Sequence, residues 1–145
     1  MGIREVIFPV EPGTLSAFGI LYSDLVLDLA RSRVIPANEA MLPEILGATA
    51  SLRAEAEAAL ERDGVPEARR RVEIAADMRY RGQAFELLVP WPDLPDIAAL
   101  RTRFHGTHRQ RFSYAEEKEP VEIVTLRATA TGLLQKPVAK APRPE

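Results

Sequence analysis

The sequence predicts an α+β domain: a small antiparallel sheet, made of a hairpin over about 72–89 and a strand over about 121–131, with three helices packed on one face. Three observations lead there. Two stretches before residue 63 repeat apolar residues at helical spacing. Between Val72 and Val89 the period changes to two. A third helical stretch then precedes a last apolar strand.

Ile3 to Val10 is short and apolar, with Pro9 and Pro12 near its end, and reads as a strand entering a turn at Glu11-Pro12-Gly13. Leu15, Phe18, Leu21, Leu25 and Leu29 predict a helix capped by Thr14 or Ser16 and running to about Arg33, with Pro36 ending it. Asn38 caps a second helix, whose apolar stripe is Leu42, Ile45, Leu46, Leu52, Ala56, Ala59 and Leu60. Pro43 and Gly47 weaken its first turns. Asp63-Gly64 stops it, because glycine accepts the left-handed conformation that closes a helix.

Val72, Ile74, Ala76, Met78 and Tyr80 then alternate with polar or small residues, as do Phe85, Leu87 and Val89. A two-residue turn at Arg81-Gly82 would pair Tyr80 with Gln83, Met78 with Phe85, Ala76 with Leu87 and Ile74 with Val89, all on one face. Those turn residues are not the preferred Asn-Gly, so a longer or bulged connection is also compatible. Asp93 or Asp96 caps a third helix to about Phe112, with Ile97, Leu100, Phe104 and His108 buried and His105 at the surface. The phase of the final strand shifts near Ile123-Val124, as a bulge or two-sided burial requires. Leu133 to Glu145, with three prolines, reads as a flexible tail.

At 145 residues the chain fits one domain, and its 46% hydrophobic and 28% charged residues are those of an ordinary soluble protein. A formal net charge of -2 gives no reason to expect nucleic-acid binding. Arg69-Arg70-Arg71, the one dense basic run, reads as a solvated loop. Cysteine is absent, which excludes disulfides and thiolate chemistry and is compatible with a cytoplasmic home. No stretch approaches the roughly 20 apolar residues of a membrane span.

Few residues carry recognisable chemistry. No phosphate-cradling glycine loop and no nucleophile elbow occurs. His105 and His108, three apart on a helix, could offer two metal ligands, but no third ligand stands out, so no metal site is assigned. Asp77, Arg79 and Glu86 share the polar face of the hairpin. They form either a structural charge network or a surface toward substrate or another domain. Gln83 either presents its amide to a ligand or stabilises the turn. Trp91, between two prolines, either anchors a partner or packs over the hairpin end. No residue is assigned a catalytic role.

Four segments together resemble the hydantoinase A and oxoprolinase family. Phe8-Pro9-Val10-Glu11-Pro12-Gly13-Thr14-Leu15-Ser16-Ala17-Phe18-Gly19 resembles its P-x-x-P-G-x-x-S-A-x-G element. Asp77-Met78-Arg79-Tyr80-Arg81-Gly82-Gln83-Ala84-Phe85-Glu86-Leu87 resembles D-M-R-Y-x-G-Q-x-x-E-L. Phe104-His105-Gly106-Thr107-His108 resembles F-H-x-x-H. Pro120-Val121-Glu122-Ile123-Val124-Thr125-Leu126-Arg127 resembles P-V-E-I-V-N-L-R, with Thr125 where Asn is usual.

The family includes ATP-dependent hydantoinases, N-methylhydantoinases, oxoprolinases, and acetone and acetophenone carboxylases. The resemblance implies a middle-to-late portion of an ATPase subunit acting on cyclic amides of the hydantoin or 5-oxoproline type. The family's D-x-G-G-T phosphate-binding element is missing, so the isolated chain is expected to be inactive. ATP and magnesium are implied for the parent subunit, with no cofactor in this segment. Residues 1–34 would be an edge strand and helix from the end of an actin-like ATPase domain, 35–132 the α+β module and 133–145 the tail. The implied partners are the rest of that subunit and a hydantoinase B-type subunit, with self-association through the N-terminal strand. Asp77, Arg79, Gln83, Glu86, Trp91 and His105 would lie on a substrate or inter-domain surface. The alternative is a non-catalytic docking module for the partner subunit.

Overall fold

Leu25 and Leu29 fit a helix at spacing four, and with Leu27 between them they also fit a strand at spacing two; the fold takes the strand. The computed structural model, which describes residues 2–3, 5–6, 12–92 and 96–136, ends helix α1 (Leu15–Leu21) early. Ser23 Oγ donates to the Gly19 carbonyl at 3.0 Å. Strand β1 (Leu25–Pro36) follows, so the helix expected to reach Arg33 is corrected over that stretch. The reason is tertiary. β1 pairs antiparallel with β4 (Val121–Gly132), setting Leu25, Leu27 and Leu29 opposite Gly132, Ala130 and Ala128. Large side chains thus face small ones across the ladder. The strand expected over Ile3–Val10 lies largely outside the described residues.

Asn38 caps not the second helix itself but the 3-10 turn Glu39–Met41 that leads into it, its Oδ1 accepting the Met41 N–H at 3.1 Å; α2 (Leu42–Arg62) then starts after Met41, with no side-chain cap, and runs through Pro43 in its first turn. Gly64, at φ +75°, closes α2. Strands β2 (Arg70–Tyr80) and β3 (Leu87–Pro90), helix α3 (Ile97–Phe112) and β4 complete the chain. The sheet order is β1-β4-β2-β3, with every neighbouring pair antiparallel. The fold is α+β, as the sequence predicts. Arg70 and Arg71 belong to β2 rather than to a solvated loop. Arg70 Nε donates to the Val65 carbonyl at 2.7 Å.

The hairpin register is two residues away from the tight-turn expectation. Met78 faces Leu87, Ala76 faces Val89 and Asp77 faces Leu88. A shift of two preserves each residue's face, because side chains alternate with period two. The connection is the six residues 81–86. Gln83 N–H donates to the Tyr80 carbonyl and Arg81 N–H to Pro120, with Gly82 at φ +83°, a region where glycine is unstrained. Phe85, freed from the ladder, sits 4.8 Å from the Phe112 ring. The expected phase shift in β4 is a bulge: Asp77 faces Thr125 but Met78 faces Ile123, which leaves Val124 extra.

One face of the sheet is covered. Ile45, Leu52, Ala56 and Leu60 of α2, with Ile97, Leu100 and Phe104 of α3, bury Ile74, Ala76, Met78, Ile123 and Ala128 in one core. At its end a Cβ on Gly132 would stand 2.7 Å from Val65 Cγ2, so only glycine lets β4 approach there. Among the described residues no helix lies over the opposite face. Beyond β4, Leu133 N–H donates to the Arg69 carbonyl, Leu134 N–H donates to Asp24, and Lys136 donates to Asp24 and to the Tyr22 carbonyl. The first residues of the expected tail are therefore tied back to the sheet. Residues 137–145 lie outside the described residues, as does Asp93. Asp96 caps α3, accepting the Ala98 N–H at 2.9 Å.

Candidate functional site

The open face holds the charged residues of two of the recognised segments, and strand pairing brings them together. Arg79 lies directly opposite Glu122, and Asp77 lies diagonal to Arg127. Arg127 Nε donates to Asp77 Oδ2 at 2.7 Å. Glu122 accepts from Arg79 Nε at 3.4 Å and from Arg81 Nε at 3.2 Å. Arg79 also lies 4.0 Å from Glu86. Beside them the hydroxyls of Ser32 and Thr125 are 3.0 Å apart, and Thr129 Oγ1 donates to Asp28 at 2.8 Å.

No helix among the described residues covers this face, yet Asp77 is only 7% exposed and Glu122 9%. The arginine stems and neighbouring strands cover them. Carboxylates engaged by guanidinium groups in this way hold neighbouring strands together.

Of the three charged residues expected on this face, Arg79 and Glu86 approach to 4.0 Å, whereas Asp77 pairs with Arg127 instead. The structure adds Glu122, Arg127 and Arg81, which no pairing from sequence supplied. The signal was present in the Pro120-to-Arg127 segment, but nothing in the sequence sets that strand beside β2. Asp77 faces Leu88 rather than Glu86, because of the two-residue register difference.

The other three candidates lie elsewhere. Gln83 sits in the connection, its Oε1 buried without a partner. Trp91 is half-buried. Its N–H extends the ladder to the Ile74 carbonyl, and its ring lines a cleft of about 760 Å³ with Arg53, Glu73, Leu88, Arg127 and Thr129. Arg53 Nη1 donates to the Val72 carbonyl at 2.9 Å, which plugs the β2 edge where β3 has ended.

His105 is a correction. Expected at the surface, it is 8% exposed, and its Nδ1 shares a 2.9 Å hydrogen bond with the Tyr80 hydroxyl. The cause is the segment after α3, which turns back: Glu116 N–H donates to the same Tyr80 oxygen at 2.8 Å. His108, fully buried, donates Nδ1–H to the Tyr114 carbonyl at 2.8 Å. Its ring centroid is 4.8 Å from Phe112 and 4.9 Å from Tyr80.

Burial, then the charge of Arg101, holds His105 below its ordinary value, and burial raises Tyr80. Among the described residues no group of three or more His, Cys, Asp or Glu side chains could hold a metal ion. Tyr80 thus joins the D-M-R-Y segment to the F-H-x-x-H segment through the core, while Asp77 and Arg79 join it to β4 outside.

No protein-family model matches the sequence. The uncharacterized protein MJ0964 of Methanocaldococcus jannaschii is 32% identical over 152 residues, a match covering 100% of this chain and 22% of that protein. The caprolactamase subunit alpha of Pseudomonas jessenii is 31% identical over 152 residues, covering 100% of this chain and 21% of its own length. The crystal structure of the ATP-dependent caprolactamase from Pseudomonas jessenii superposes with a TM-score of 0.72 at 30% identity, over 91% of this chain and 20% of that one.

The nucleotide-free structure of acetone carboxylase superposes with a TM-score of 0.69 over 90% of this chain and 21% of that one. At 19% identity that likeness speaks for the fold. The chain spans about a fifth of the length of the relatives it matches. Four motif segments in order, and a fold shared over nine-tenths of the chain with a caprolactamase subunit, support a fragment of the hydantoinase/oxoprolinase family.

Proposed function

We propose that this chain is the α+β module of an ATP-dependent subunit acting on cyclic amides, and that the module acts as scaffold while the reacting groups lie elsewhere in the subunit. One observation carries the reading. The charged residues of the D-M-R-Y and P-V-E-I-V segments are spent on each other, Asp77 on Arg127 and Glu122 on Arg79 and Arg81. The likeness to a caprolactamase subunit supports a cyclic amide as the substrate class. Hydantoin and 5-oxoproline are the cyclic amides that the sequence resemblance adds.

The described residues do not fit a nucleotide. α2 opens on Pro43 and Glu44, α3 on the capping carboxylate of Asp96, and no glycine-rich turn leads into either. No step through ATP or magnesium is therefore assigned to these residues. The test is ADP release by the purified chain with caprolactam, hydantoin or 5-oxoproline. The expected rate is background, and turnover that survives repurification overturns the reading.

A second reading, docking of a partner subunit, is favoured by β1. It is an edge strand whose Leu25, Leu27 and Leu29 are only half-buried while Val26 and Val34 are exposed. In the full-length subunit, Arg79→Ala separates the two. Unchanged turnover with weakened complex formation favours docking, and lost turnover with an intact complex favours a substrate surface.

A further inference from the structure

The segment after α3 borders a smaller, half-open pocket of about 230 Å³ between the Pro36–Asn38 corner and the start of β4. Its charged lining is Arg81, Arg101, Lys118 and Glu119, three cations against one carboxylate. The partners of these cations are incomplete. Arg81 Nε is taken by Glu122. Arg101 Nη2 donates at 3.2 Å to the backbone carbonyl of Glu117, while its Nε is buried without an acceptor. The nearby carboxylates of Glu117 and Glu122 are committed to Arg109 and to Arg79 and Arg81. Among the described residues neither Arg101 nor Lys118 forms an ion pair with a carboxylate.

A buried guanidinium N–H without an acceptor is uncommon in folded proteins and calls for an ion or water at that point. Several cations around one cavity favour an anion over water, because water leaves their mutual repulsion in place. Asn38 lines the same cavity. Its Oδ1 is held by the Met41 N–H, which leaves its amide N–H groups as further donors. The charge of Arg101 is also felt by His105 one helical turn on, where it adds to burial in disfavouring the protonated ring.

We propose that this cavity binds a small oxyanion of the phosphate or carboxylate class, gripped by Arg101 and Lys118 with Arg81 at its rim. The volume lies below the roughly 300 Å³ at which sites for larger ligands begin, so the ligand is a small ion or a terminal phosphoryl or carboxylate group. The Glu119 carboxylate is the competing anion within the cavity.

The probes are inorganic phosphate and acetate, titrated at constant ionic strength into the isotope-labelled chain, with the Arg101 Nε–H and Lys118 amide signals followed by NMR. A saturable shift confined to the cavity residues is expected. Saturation by phosphate alone assigns the phosphoryl class, and saturation by acetate assigns the carboxylate class. Lys118→Gln weakens the apparent Kd about tenfold, the effect of one charge-assisted hydrogen bond, and Arg101→Gln abolishes saturation. Glu119→Gln tightens binding, and Arg31→Gln, on the α2 side of the sheet, leaves it unchanged. Absence of saturation with both anions, or saturation indifferent to Lys118→Gln, overturns the proposal. Lys118 is exposed, so that second arm does not depend on the folding of the Arg101 variant.

Discussion

Beneath α2 and α3 the sheet buries Met78, Val89, Phe104 and Ile123 completely. On the opposite face no described helix lies over the strands, yet Asp77, Glu122 and Thr125 are each less than one-tenth exposed. The covered face removes apolar area from water, which stabilises in proportion to area and tolerates little loss of volume. The open face removes carboxylates from water by laying guanidinium groups across them. There the favourable charge pairing is set against the cost of desolvation, and the net is small. The family segments contribute to both faces. Tyr80 and His105 belong to the covered side, and Asp77, Arg79, Glu122 and Arg127 to the open one. A motif legible as one run in the chain is therefore two structures, separated by the thickness of a sheet.

The sharpest break of that comparison is Phe104→Ala. It removes a fully buried ring packed 4.9 Å from Tyr80, and should cost about 3–5 kcal/mol in urea unfolding. Tyr80→Phe keeps the ring and deletes the hydroxyl. It leaves Glu116 N–H and His105 Nδ1 without that partner, a loss of about 1–3 kcal/mol.

The same site predicts a pH dependence. His105 is held below its unfolded value of 6.5, so the unfolded chain binds a proton more readily than the folded one. This contribution is fully present above that value and is lost as pH falls through the depressed folded value. Unfolding midpoints should decline on acidification in that window, and His105→Gln should flatten the decline.

On the open face a double-mutant cycle of Asp77→Asn with Arg127→Gln should give a coupling of about 0.5–1 kcal/mol, because the Arg127 side chain is half-exposed. A coupling of several kcal/mol would erase the distinction between the faces. The smallest effect belongs to Arg31 and Glu55, a 3.0 Å pair between β1 and α2 with both side chains about half-exposed. Its cycle should give no more than about 0.5 kcal/mol.

Much of the fold is legible in local chemistry. Asp96 announces the start of α3 by side-chain capping, Asn38 caps the 3-10 turn that leads into α2, Gly64 announces a stop, and the alternation from Val72 to Tyr80 gives both a strand and its inward face. The misreading at Leu25 to Leu29 has a physical cause. Leu25 and Leu29 fit both periods, and pairing with a neighbouring strand of small residues decides for the strand, in which Leu27 joins them on one face. The hairpin register is misread for a related reason. The turn is closed by bonds to Tyr80 and Pro120, and Pro120 is forty residues from the hairpin's start at Tyr80.

The candidate site divides in the same way. That Asp77, Arg79 and Glu86 share a face follows from period two. That Arg127 rather than Arg79 is the counterion of Asp77 depends on β4 lying between β1 and β2. Nor could the spacing of His105 show that a returning segment would bury it.

The Asp77-to-Arg81 run, the paired histidines and the last strand determined, within the sequence itself, which family the chain resembles and which residues point to the same side of each element. Tertiary structure alone decided which charges neutralise one another, which histidine leaves water, and which cations around Arg101 lack a carboxylate. The physical reason is range. Backbone periodicity and capping act over a few residues, whereas charge pairing and burial depend on segments that only the completed sheet brings within a few ångströms.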